Sequence, residues 1–189
     1  NKCSDWSEGW MIASRVGYHP FGIVKMSQGD FARKTKLAFF LSAFSWSNDG
    51  DNLDPTRKDD VDSVSAFEFS TVFRKSGLSL DLQYNSFDSD LVDSGITKGL
   101  YVNSSTKLRN GSFEGGYMVV PSKFEIVLGF QNQDSDGYAT AWDRNSIGLN
   151  YFVDGHNIKY QATYRQNENK DGTAGNDSNE LFAQCQYVF

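Results

Sequence analysis

The chain has 189 residues, with 18 Lys+Arg against 24 Asp+Glu and a formal net charge of -6. That acidic balance argues against a nucleic-acid binder, which carries a basic excess, and without an apolar run of about 18 residues there is no candidate for a membrane-spanning helix. Aromatics make up 15% of the chain within a hydrophobic total of 39%, so much of the apolar surface is rings.

In chain order, nearly every ordered stretch alternates with period two, the signature of a half-buried strand. Residues 10–18 set Trp10, Ile12, Val16 and Tyr18 against Arg15 and Gly17. Residues 35–46, TKLAFFLSAFSW, are apolar on both faces, so their orientation is ambiguous. Residues 64–75 set Phe67, Phe69 and Phe73 against Glu68, Ser70 and Arg74, and residues 77–85 set Leu78, Leu80, Leu82 and Tyr84 against Asp81 and Gln83. Residues 112–120 set Phe113, Tyr117 and Val119 against Glu114 and Gly116, and residues 123–131 set Phe124, Ile126, Leu128 and Phe130 against Glu125, Gly129 and Gln131. Residues 145–153 and 158–166 flank Asp154-Gly155, a strong hairpin signal. The chain then ends in a stripe of Leu181, Ala183, Cys185, Tyr187 and Phe189 over residues 180–189, a strand predicted to pair antiparallel with 158–166.

The connections alternate in length. Residues 74–77, 120–123 and 154–157 read as tight turns, whereas 47–60, 89–99, 132–143 and 167–178 are long and polar. The segment 19–34 breaks this rule, being long where a short turn is due.

Strands of about ten residues match a tilted strand crossing a bilayer. Tyr and Trp near strand ends match interfacial girdles, which assigns Trp10, Tyr18, Tyr151, Tyr160, Tyr187 and Phe189 to the membrane interface, with Trp46 and Trp142 as loop-side anchors. The opposite face carries Arg15, Arg74, Lys123, Arg144, Lys159 and Arg165 with Glu68, Asp81, Glu114 and Glu125. A water-filled lumen tolerates those charges and a dry core does not. Lipid admits strands only in a closed barrel. The expected fold is therefore all-β, an antiparallel transmembrane barrel forming one domain over 1–189. The basic excess on the lumen face predicts a weak anion preference. The odd number of strands leaves three readings open: part of a larger barrel, a barrel completed by a second chain, or a miscounted strand.

RVGYHPFG (15–22), FEGGYMVVPSKFEIVLGFQ (113–131), GLNYFVDGHNIKYQATYR (148–165) and the terminal QYVF resemble the phosphate-selective porin O and P family of Gram-negative outer membranes. The resemblance implies the C-terminal portion of a barrel of about 16 strands, a trimer in the bacterial cell outer membrane, and a pore for passive diffusion of small hydrophilic solutes or anions. No motif here aligns with the family's phosphate-selecting basic residues.

Other chemistry is thinly represented. The acidic loop at 48–54 lacks a full calcium loop with its terminal Glu. His19 and His156 have no Ser or Asp partner at a hydrolase spacing. Neither enzymatic activity, a cofactor nor a metal is expected. Cys3 and Cys185 sit at opposite ends of the chain, and a buried or lipid-facing free thiol is favoured over a disulfide. The alternative function is a small closed outer-membrane barrel, structural or partner-binding, with its interior filled by side chains. A soluble β-sandwich is a distant third.

Overall fold

Period-two runs joined by turn residues build hairpins, and hairpins in series build a meander. A computed structural model describes residues 9–24, 28–48 and 60–188. They form one antiparallel sheet in sequence order: β1 Trp10–Tyr18, β2 Lys36–Ser47, β3 Val61–Lys75, β4 Leu78–Leu91, β5 Ser105–Val120, β6 Phe124–Ser135, β7 Trp142–Asp154, β8 Ile158–Glu168 and β9 Ser178–Tyr187. All nine expected strands are present, and β9 pairs antiparallel with β8. Phe189, Cys3 and most of the acidic loop lie outside the described residues.

The β3–β4 connection shows why the turn end is tight. Ser76 and Gly77 both take positive φ, 55° and 94°, as a two-residue hairpin turn matched to the strand twist requires. At the other end the strands outrun the sequence reading. β4 continues to Leu91 and β5 begins at Ser105. There the outward face turns polar and the inner face mixes Phe87, Leu91 and Leu108 with Asn85, Ser89 and Thr106, so the apolar-out alternation that marks the earlier residues is lost.

The register resolves β2. Leu37, Phe39 and Leu41 share the face of Phe73, Thr71 and Phe69, while Ala38, Phe40, Phe44 and Trp46 share the face of Arg15 and Glu68. Trp46 is buried on that inner face, and Trp142, level with Gln133, is on it too. Neither is an outward interface anchor.

The outward face carries a band of apolar side chains with a sharp edge. On β4, Leu78, Leu80, Leu82 and Tyr84 give way to Ser86, Asp88 and Asp90. Along the sheet the last outward apolar residues are Ala43, Phe67, Tyr84, Phe113, Phe130, Ile147, Tyr164 and Leu181, and the next outward ones are Ser45, Ser65, Ser86, Gly111, Asn132, Asn145, Gln166 and Asn179. This edge cuts across the ladders obliquely. Leu181 is level, pair by pair through Tyr164, Ile147, Leu128, Gly115, Leu80 and Phe73, with Leu37. On β1 the edge lies at Trp10 and Ile12, level with Ser47 and Ser45. The drop along β2, from Ser47 or Ser45 to Leu37, is ten or eight residues. At ~3.3 Å per residue and ~4.8 Å per strand, the strands incline by about 35–40° from the perpendicular to the band. Beyond the edge, outward ion pairs Lys107–Asp88 (2.8 Å) and Arg109–Asp134 (3.9 Å) stud the surface.

Among the described residues β1 and β9 each pair on one side only, so the sheet is open. Outward residues at these edges are the most exposed, Leu181 at 77% and Ile12 at 63%, against 36% for Phe69 in the interior of the sheet.

Candidate functional site

The inner face closes around a cavity of about 660 Å³. Its lining runs from Arg15 on β1 to Gln184 on β9, so the sheet curls enough for strands eight apart in order to share one space. Arg15, Glu68, Asp81, Glu114, Arg144 and Arg165 line it, three cations and three anions. The other predicted lumen residues lie elsewhere. Arg74 is buried and grips Asp81 through both terminal nitrogens, at 2.6 and 2.9 Å. Glu125 and Lys159 are buried toward the turn end. Lys123 lies exposed in the β5–β6 turn, its amine 3.5 Å from the Val153 carbonyl oxygen. The basic excess counted from parity is therefore absent from the cavity lining.

The lining arginines lie on rings. Arg15 sits 4.7 Å from the Phe40 centroid, Arg144 4.8 Å from Trp142 and Arg165 4.5 Å from Phe182. Such stacking holds a guanidinium in place without neutralising it. Arg144 is further fixed by hydrogen bonds it donates to Asn167 (2.9 Å) and Gln131 (3.1 Å). Glu68 accepts from Gln83 (3.0 Å) and Ser70 (3.3 Å).

The long β1–β2 connection folds back across the turn end of this face as a strap, residues 28–34. The Gln28 side-chain oxygen Oε1 accepts from Lys159 Nζ (2.7 Å) and Gln161 Nε2 (3.1 Å). Gln161 donates onward to Asn150 (2.8 Å), Asn150 to Glu125 (2.8 Å), and Ser79 also donates to Glu125 (3.2 Å). Gly29 has φ 73°, and a Cβ there would collide with Met118. The buried Asp30 carboxylate accepts the backbone N–H of Gly77 and of Arg33, each at 2.9 Å. Phe31 packs edge-on against Phe152 (4.9 Å) and His156 (5.1 Å). Burial, and then the nearby Lys159 cation, holds the His156 pKa below its ordinary value. Met118, Phe152 and Glu125, at 1%, 0% and 1% exposure, are covered at this end. Sequence reasoning missed the strap; its one signal was that 19–34 is long on the short-turn side.

The predicted interface aromatics all point outward where they are described: Trp10, Tyr18, Tyr151, Tyr160 and Tyr187, each roughly half or more exposed. Tyr151, Tyr160 and Cys185 form one cross-strand row near the turn end. Cys185 is a free, exposed thiol on the outward stripe. Among the described residues no group of His, Cys, Asp and Glu is placed to hold a metal ion.

No family model, curated protein or solved structure matches the chain.

Proposed function

We propose that the chain forms part of the wall of a transmembrane β-barrel of the outer-membrane type, with its polar face lining a water-filled path for small hydrophilic solutes. The single observation that carries this is the oblique apolar band. Outward Leu, Ile, Phe and Tyr side chains are about half exposed on strand after strand, far more contiguous apolar surface than a soluble monomer shows. The edge steps down from β1 to β9, and the average strand tilt it gives, about 35–40°, falls in the range of strands in membrane barrels. A soluble sheet covered by a partner has no reason to trim its apolar residues along a plane tilted to its strands. The porin-family resemblance finds no support in the comparisons, and the proposal does not depend on it.

Closure follows from direction. β1 and β9 run the same way, so joining them directly makes a parallel seam. Two copies sharing one barrel axis make parallel seams as well. An all-antiparallel barrel, which leaves no open edge in lipid, needs an odd number of further strands between β9 and β1. The proposal is therefore a portion of a larger barrel.

The cavity lining is balanced in charge, so the pore is proposed to discriminate weakly between anions and cations. The full-length protein is expected to give stepwise conductance in a planar bilayer, with a reversal potential near zero under a KCl gradient. The strap favours one competing outcome, a barrel sealed at its turn end. Stable insertion into lipid with no conductance would select that reading and refute the open path.

A further inference from the structure

The charges on the lumen wall separate along the sheet, the acids on β3–β5 flanked by Arg15 on one side and by Arg144 and Arg165 on the other. Glu68, Asp81 and Glu114 come from three successive strands, β3, β4 and β5. Arg144 and Arg165 come from β7 and β8, and Arg15 from β1. One row of the sheet shows the separation directly. Asp81 is level with Glu114, then Gly129, then Ser146, then Arg165, and last Glu180, which is neutralised by Lys170 at 3.0 Å. Between the acid and the arginine there is a glycine and a serine, so nothing bulky fills the span. Glu114 and Arg165 are three strands apart, ~14 Å along the sheet at ~4.8 Å per strand, and both side chains shorten the gap. Among the described residues Glu114 and the three arginines make no ion pair; the arginines are held on ring faces. Of the lining charges Asp81 alone is neutralised locally, by Arg74.

With Asp81 neutralised by Arg74, three arginines and two acids remain, and their separated signs create a field across the lumen. Low-dielectric walls concentrate such a field. It does not enrich a simple ion of either sign, because one wall repels what the other attracts. A dipolar solute lowers its energy by turning its cationic end to β3–β5 and its anionic end to β7–β8.

We propose that the lumen selects small zwitterions, solutes carrying an ammonium and a carboxylate, over uncharged solutes of equal size. Glu114 and Arg165 are the main specificity-determining pair. This rests on the reading of the inner face as a lumen wall.

The test is osmotic swelling of liposomes holding the full-length protein, with rates in protein-free liposomes subtracted. β-Alanine and lactamide are isomers, one zwitterionic and one neutral. β-Alanine is expected to enter about twofold faster or more. In Glu114→Gln combined with Arg165→Gln the ratio is expected to fall to about one. The exchanged variant, Glu68→Arg and Glu114→Arg with Arg144→Glu and Arg165→Glu, reverses the field without abolishing it and is expected to keep the preference. A ratio of one in the unmodified protein, with lactamide still entering, overturns the selectivity and leaves the pore standing. Loss of the preference in the exchanged variant also overturns the field account. Entry of neither solute overturns both the pore and this inference.

Discussion

Leu149→Arg is expected to destabilise the protein in a bilayer by about 2–4 kcal/mol, the cost of a cation on the lipid face near the midplane. Leu149 lies inside the apolar band, level with Ile126 and Ala162, and two residues below its edge at Ile147. Leu149 is 44% exposed. The matched control is Ser112→Arg. Ser112 lines the cavity on the inner face, where an added cation meets water, so its effect should stay within about 0.5 kcal/mol. Folding titrations into phospholipid bilayers measure both. Equal costs would mean that the outward face is not in lipid. Parity alone would have offered Asn150 as the harmless neighbour. The structure removes it from that role, because Asn150 is buried and bridges Gln161 to Glu125, so an arginine there would break the network under the strap.

Asp30→Ala carries the second large effect. Its carboxylate holds the Gly77 N–H at the β3–β4 turn and the Arg33 N–H within the strap. Hydrogen bonds to a charged group contribute roughly 1.5–3 kcal/mol each, and a buried donor left unmatched adds to the loss. The expected cost is about 3 kcal/mol, accompanied by protease cleavage within 19–35 that the parent protein resists. Asp30→Asn retains one acceptor oxygen and should fall between. An unchanged unfolding midpoint for the alanine variant would show that the strap is not anchored through Asp30.

How much of this was legible depended on whether a residue's neighbours in sequence are also its determinants. The hairpin 145–166 was legible because a strand with one face in apolar surroundings must alternate, and Asp154-Gly155 supplies the turn. β2 was not, since its inner face at the turn end is itself apolar: Ala38 packs with Val24 and Val72, with Phe40 beside them. The extensions of β4 and β5 beyond the band were invisible because the outward apolar stripe stops there, and the few apolar residues, Phe87, Leu91 and Leu108, switch to the inner face. Trp46 and Trp142 were misplaced because an aromatic at a strand end reads as an interface anchor, whereas here Trp142 carries Arg144 on its ring. The charge balance of the cavity depended on which parity-matched residues reach it, and Lys123 and Lys159 do not. The strap was out of reach altogether, because Gln28 is fixed by Lys159, 131 residues away in the chain.

The central claim is that one face of this sheet meets lipid and the other meets water, and accessibility along adjacent strands tests it most directly. In a background with Cys3→Ser and Cys185→Ser, single cysteines are placed at Ser146, Thr163 and Gln184 on the inner face and at Ile147, Ala162 and Ala183 on the outer face. The full-length protein, reconstituted in liposomes, is treated with a membrane-impermeant maleimide. The account predicts labelling at 146, 163 and 184, and protection at 147, 162 and 183 that is lost on denaturation. Natural Cys185, on the outer stripe, should be protected in the Cys3→Ser protein. Equal labelling of both sets in the folded, reconstituted protein would contradict it.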